Sequence, residues 1–416
     1  MNDNVYLPYQ DMIPDIVDGL TPIQRVVFNA VKILDDTGML QYVQTIFKGL
    51  VQTAYIVGCA IDRKIDIETP YDKITDAALK YPLSDIYYDE IIRLAAKWQK
   101  PYPLIEYLGN FGTLQGDLPA SMLYTQIKQS DFAKFATREP SWIDYDIKKC
   151  SELNTTLPFR IPNLLINGFV LPGEHLCAAF FAPHNIIEIC DAVLAYLRNP
   201  KISFQKLMTY LKGPDFPTGG LIESGSLLEI YKTGYGDVDV FADVVLEDSL
   251  ISDDDAENIS RLYFRTPYMA DFRHIEQELD LIISSHSING LVNARYEYKD
   301  SLNQGFCVDI EKSADIIAVI KEIYNMTHLK NRITINNLAY VDGVPQRLNL
   351  KDMIRFWVGK RAQAIASYFP GGGIVPKGIL KLDLRDTKEI YQAPRKTQVI
   401  HSIDDYLSTF SCHILA

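Results

Sequence analysis

The sequence predicts a mixed α+β / α/β protein, a helix-turn-helix type domain followed by an α/β domain. Three observations lead there. Short amphipathic helices joined by turns fill the first part of the chain and end at a Gly-rich corner over 109–116. From about residue 155, strand-like runs alternate with helical runs, the pattern of an α/β layer. The composition is that of a globular protein, 47% hydrophobic and 23% charged over 416 residues, enough for two or three domains with a substantial core.

The elements follow in order. Residues 1–20 read as extended, punctuated by Pro8 and Pro14. Thr21 and Pro22 read as a helix N-cap with proline at the first helical position, and apolar residues at 23, 26, 27, 30, 31 and 34 form a helical stripe through Leu34. Further helices are expected at 40–60, 73–80, 85–98 and 119–136. Strands are expected at 160–166, 219–223, 236–246, 260–265 and 304–309, and helices at 185–197, 203–211, 224–231, 271–285 and 312–324. A last helix at 350–368 runs into Pro370 and three glycines, and a strand-and-loop tail follows. The expected domains are 1–155, 156–347 and 348–416.

Bulk properties exclude several classes. The most apolar stretch, 161–181, is interrupted by Asn163, Asn167, Glu174 and His175, so no membrane span is expected. The N-terminus has no basic region and no apolar signal core, which gives a cytoplasmic address by default. The six cysteines show no Cys-x-x-Cys spacing, against zinc and against a disulfide framework. The first 174 residues contain no histidine, so no His-based metal site or general base can arise there. Net charge is -12, with six acidic residues in 247–257, a prior against nucleic acid that a local basic patch could override.

Several strings, taken together and in order, resemble the A subunit of DNA gyrase and topoisomerase IV. Ile13-Pro-Asp-Ile-Val-Asp-Gly-Leu-Thr-Pro-Ile-Gln-Arg25 resembles the entry to that family's DNA gate. Asp89-Glu-Ile-Ile-Arg-Leu-Ala-Ala96, Gly109-Asn-Phe-Gly112 and Gly116-Asp-Leu-Pro-Ala-Ser-Met-Leu-Tyr-Thr125 resemble the stretch leading to its active-site tyrosine. Arg160-Ile-Pro-Asn-Leu-Leu-Ile-Asn-Gly168 resembles the opening of its tower domain. Pro183-His-Asn185, Gly213-Pro-Asp-Phe-Pro-Thr218 and Tyr231-Lys-Thr-Gly-Tyr-Gly236 resemble segments inside the tower, and Leu348-Asn-Leu-Lys-Asp-Met-Ile354 the helix leaving it. The similarity covers roughly residues 10–365.

The resemblance implies a winged-helix DNA-gate domain followed by an α/β tower, and a type II topoisomerase A-type subunit that breaks and rejoins duplex DNA. Tyr124 matches the nucleophile that becomes linked to the DNA 5′ end. A phenol ionises near pH 10 and the transition state adds negative charge to an anionic group, so such a site needs facing cations. Magnesium and ATP are implied on a separate ATPase/TOPRIM partner, with none on this chain. A homodimer through the gate is implied, since each DNA strand needs its own tyrosine. The address would then be nucleoid-associated.

The departures share a sign. Leu123 stands where the family has the arginine before the tyrosine; losing one such donor typically costs roughly a hundredfold to a thousandfold in rate. Val17, Thr21, Gln24, Val26, Tyr235 and Asp237 stand at positions that are usually basic. Tyr81-Pro-Leu-Ser-Asp85 takes the place of a His-Pro-His-Gly-Asp string. The remaining candidate phosphate contacts are Arg25, Lys48, Arg93, Lys97 and Lys100, with Arg25 and Arg93 in matched segments. Leu171 is the candidate for the aliphatic wedge that the family inserts between base pairs. Asp85 and Asp89, at helical spacing, read as a solvated face, and His184 as a helix-capping residue before Asn185. The family continues past the 350–368 helix into a long coiled coil with a second dimer gate, and no such coiled coil or C-gate is expected here. Three readings stay open: a phage- or mobile-element-type DNA-breaking subunit, a degenerate homologue acting as a DNA- or topoisomerase-binding scaffold or competitor, and a regulatory protein that touches no DNA.

Overall fold

In the computed structural model, the described residues are 13–34, 41–42, 83–138, 156, 159–170, 179–247, 258–367 and 376–414. The helix Pro22–Leu34 begins where proline at the first helical position places it. Its start is a reciprocal cap. The Thr21 hydroxyl accepts the Gln24 N–H at 3.2 Å, and Gln24 Oε1 accepts the Thr21 N–H at 3.3 Å. Val27, Phe28 and Val31 bury one face of it, and it packs on the helix Leu83–Ala95 through Ile91 and Leu94.

A small antiparallel sheet stands beside this helix pair, in the order β1 (Gln41–Tyr42), β3 (Gln126–Gln129), β2 (Ile105–Leu108). The stretch 119–136 is therefore not one helix. It divides into a 3-10 turn Met122–Tyr124, strand β3, and a helix Asp131–Thr137 capped by Ser130. Pairing of β3 to both neighbours satisfies its backbone on each side, and that ladder outweighs the helical pattern of its side chains. Gln41 and Tyr42, expected in a helix, are in strand β1 for the same reason.

The remainder is built on two sheets. One has six strands, in the order β15 (Thr397–Ile400), β6 (Gly220–Glu223), β7 (Tyr235–Phe241), β12 (Lys330–Asn336), β5 (Phe180–Phe181), β4 (Phe169–Val170). The other has four, β10 (Leu291–Asp300), β11 (Asn303–Glu311), β9 (Ile259–Arg265), β8 (Val244–Leu246). Every pairing in them is antiparallel except β15 with β6. A separate hairpin pairs β13 (Leu338–Val341) with β14 (Val344–Arg347). The architecture is thus α+β, not the parallel α/β layer that strand–helix alternation implies. The helices Phe272–Ser285 and Ile316–Met326 supply the second core, where Phe272 stacks on Phe306 at 4.5 Å.

The expected strand at 160–166 is a helix, Asn163–Asn167, closed by Gly168 at φ +65°. A Cβ on Gly168 would lie 2.4 Å from the Phe181 carbonyl oxygen, so the turn into β4 admits only glycine. The asparagines of this helix fasten separate segments together. Asn163 Nδ2 donates to the Asp18 carbonyl at 2.8 Å. Asn167 exchanges two bonds with the Tyr102 backbone, at 2.8 and 2.9 Å.

The last part of the chain is also not a strand-and-loop tail. The helix Leu350–Ser367 is followed by the helix Pro376–Ile390, which packs on it and on Ile186–Arg198. Asp383 sits between two guanidiniums, Arg160 Nε at 2.8 Å and the buried Arg361 at 3.3 Å. Strand β15 then extends the six-stranded sheet, and a helix Ile403–Ile414 follows. Asp215 receives that strand, its Oδ1 accepting both the Lys396 and Thr397 N–H groups at 2.8 Å. Among the described residues, no helix is long and apolar enough to cross a membrane.

Candidate functional site around Tyr124

Tyr124 ends the 3-10 turn and is 75% exposed, whereas its neighbour Thr125 is fully buried. The turn is held at both ends by Tyr88, which projects from the helix Leu83–Ala95. The Tyr88 hydroxyl donates to the Ala120 carbonyl at 2.7 Å. Its one hydrogen is then spent, so the Thr125 hydroxyl is the donor in their 3.2 Å contact. The Ala120 N–H is itself bound to the Asn110 carbonyl at 3.0 Å, and the Leu123 N–H faces Ser121 Oγ at 3.4 Å. Gly109, at φ +107°, lets the chain pass under the turn, where a Cβ would come within 3.0 Å of the Tyr124 carbonyl oxygen.

The 109–117 corner is self-supporting. Asn110 Oδ1 accepts the Gly112 N–H at 2.8 Å, and Thr113 Oγ1 donates to Asp117 at 2.8 Å. Phe111 is buried against Tyr107, rings 4.4 Å apart, and meets the edge of Tyr88 at 6.2 Å. The result is a rigid platform with one phenol standing out of it. Leu118 and Leu123 on the same loop are exposed as well.

The candidate cations fare differently. Arg25 lies inside: its Nε and Nη2 clamp Asp18 at 2.6 and 3.0 Å, and Nη2 also reaches the Leu20 carbonyl at 3.2 Å. Burial opposes its charge, and the Asp18 carboxylate outweighs that opposition. Lys100 is buried too, and burial pulls its ammonium down to about 8 despite nearby Glu90. Neither can serve as the surface phosphate contact expected of it. Arg93 is half-buried and paired with Glu90, whose other oxygen accepts Gln24 Nε2 at 2.8 Å. Lys97 is exposed, its ammonium 5.9 Å from the Tyr107 ring centre. Lys48 and Leu171 lie outside the described residues.

Other singled-out residues are structural. His184 is buried with Nδ1 2.8 Å from the Leu165 carbonyl and Nε2 2.8 Å from the Tyr231 hydroxyl. Burial holds it down to about 4, hence neutral, and the helix cap is made by Asn185 instead. Asp89 faces solvent. Thr21 and Gln24 build the helix cap described above, and Thr334 Oγ1 donates to Asp237 at 2.7 Å. Sequence reasoning does not single out Tyr88 and Thr125 as partners in the site. The only signal for them is that Tyr88 lies on the helix that carries Arg93 and Thr125 follows the tyrosine.

Among the described residues, the groups able to gather around a metal are His274–Glu278–His328 and Glu247–Glu297–Cys307, and neither includes a residue of the Tyr124 platform. These two groups offer no ligand for a magnesium ion at Tyr124.

Fold and site define an α+β protein that presents a tyrosine on a fixed turn. The chain belongs to the family of DNA gyrase and topoisomerase IV A subunits, whose model matches residues 85–368. It is 29% identical over 364 residues to the DNA gyrase A subunit of Treponema pallidum, covering 85% of this chain and 40% of that protein. It is 29% identical to the Pseudomonas aeruginosa gyrase A subunit and 30% to that of Streptomyces coelicolor, in each case over 85% of this chain and 36% and 39% of the relative. The chain thus spans about two-fifths of the length of these relatives.

Proposed function

We propose that this chain is the DNA-breaking subunit of a type II topoisomerase, with Tyr124 as its nucleophile. The observation that carries the reading is the exposed phenol on a turn pinned at Ala120 and Thr125, inside the segment that matches the family. The Tyr124 oxygen loses its proton and attacks a backbone phosphorus. A tyrosyl O–P bond forms and the P–O3′ bond breaks, leaving a 5′-phosphotyrosyl link and a 3′-oxygen that takes up a proton to become a hydroxyl. Resealing runs the step backwards without an energy source, because the phosphodiester count is unchanged.

The two-helix, three-stranded unit acts as the winged-helix DNA gate and the two larger sheets as the tower. Two copies pair so that each strand meets one tyrosine. A TOPRIM/ATPase subunit supplies ATP hydrolysis and the magnesium-binding carboxylates, and Arg93 and Lys97 supply the phosphate contacts on this chain. On this reading the protein resides with the chromosomal or phage DNA it cuts.

A second reading is favoured by one observation: the residues around Tyr124 are apolar and exposed, while Arg25 and Lys100 are buried and Arg93 is engaged by Glu90. There the fold persists as a scaffold that binds DNA or a topoisomerase without cutting. Covalent trapping separates the two. Purified chain, TOPRIM/ATPase partner, magnesium and end-labelled duplex are mixed and denatured. The cleavage reading expects label on the wild type and none above background on Tyr124→Phe. No adduct on either, where a standard gyrase gives one, leaves the scaffold.

A further inference from the structure

We propose that His274, Glu278 and His328 form a binding site for a first-row divalent transition-metal ion of the zinc kind. His274 and Glu278 are one turn apart on the helix Phe272–Ser285, and His328 lies just before β12. Glu278 is held ready as a ligand: its Oε2 accepts the His328 backbone N–H at 2.8 Å. Its Oε1 faces two imidazole nitrogens, His328 Nδ1 at 2.7 Å and His274 Nε2 at 3.2 Å. The rings meet edge-on at 4.7 Å, and the donor atoms of all three residues lie within 4.8 Å of one another.

Two imidazole nitrogens and a carboxylate oxygen suit zinc and its neighbours better than magnesium or calcium. Tetrahedral bonds of the usual length set ligand atoms about 3.3 Å apart, so the 2.7 Å contact has to open while the 3.2 Å one already fits. The nearby cations do not oppose this strongly, because Asp239 pairs with both Lys330 (3.2 Å) and Arg332 (2.7 Å). Glu278 and His328 also line a cleft of about 390 Å³ with Asp239, Tyr324, Lys330 and Arg332, which leaves room for water or an anion as fourth ligand. The ion would tie the helix over the four-stranded sheet to a strand of the six-stranded one.

The test uses untagged, chelator-stripped full chain. Zinc content after equilibrium dialysis and the visible absorption of added cobalt are measured for wild type, His274→Ala and His328→Ala, with circular dichroism as the folding check. Expected are one ion per chain, a tetrahedral cobalt spectrum, and a melting temperature that rises with zinc. Each variant should keep its metal-free melting temperature, yet weaken binding at least by the roughly 10–100-fold that loss of a supporting group alone costs. Absence of stoichiometric zinc on the wild type, or binding unchanged in both variants, overturns the site.

Discussion

The Tyr124 platform and the body of the protein that carries it use their family-like residues in opposite ways. In the body, the long strings are fasteners. Asn163 and Asn167 grip Asp18 and Tyr102, Asp215 receives the backbone of 396–397, and Asn185 Nδ2 reaches Asp215 at 3.1 Å. None of these side chains faces a reaction. On the platform a single phenol stands exposed, and the groups around it hold its turn in place. A string long enough to be recognised marks where backbone groups had to be satisfied.

The sharpest way to break this comparison is Asp215→Ala. It strands the buried Thr397 N–H and the part-buried Lys396 N–H and leaves the Asn185 amide only its bond to the Ala393 carbonyl, so unfolding in urea should show a loss of about 2–4 kcal/mol. A loss below about 1 kcal/mol would mean that the Gly-Pro-Asp-Phe-Pro-Thr string is not a fastener. Next comes Asp15, whose carboxyl is raised to about 6, chiefly by burial and then by the charge of Asp18. With a folded pKa above the unfolded one, its stabilising share is complete below pH 3.8 and is lost as pH rises through 6. Asp15→Asn should therefore be more stable than wild type at pH 7 by about 2–3 kcal/mol and equal to it at the acid end, read from urea midpoints across that range. The smallest change is Thr125→Val, which removes one hydrogen bond to Tyr88 and costs about 1 kcal/mol. It sharpens the comparison by a different readout: the adduct on Tyr124 should form about tenfold or more slowly because the turn is no longer pinned, and Thr125→Ser should restore it.

Elements governed by local physics are legible in the sequence. The helix at Pro22–Leu34 has a cap, a proline and a clean apolar stripe, and it begins and ends where these place it. The helix Phe272–Ser285 and strand β9 are equally plain. Elements governed by distant partners are not legible. Strand β3 becomes a strand only because β1 and β2 flank it, and the apolar run after Pro162 fits helix or strand equally well. Strands β10 and β12 do carry alternation, Ala294-Arg-Tyr-Glu-Tyr298 and Ile333-Thr-Ile335, and are legible although no strand is expected there. At the site, Tyr124 stands out through its surrounding string. The burial of Arg25 does not, since an arginine near an aspartate in sequence looks the same whether it faces solvent or the core.

The parallel pairing of β15 with β6 also sets an order of events during synthesis. Asp215 and Thr397 are 182 positions apart. At ribosomal speeds of about 5–20 residues per second, roughly 10–40 seconds separate the emergence of the two segments. Through that interval the β6 edge offers unpaired backbone groups to any other nascent chain. Production of this protein therefore depends on what shields that edge until its own strand arrives, and slow translation of the stretch between them lengthens the exposure.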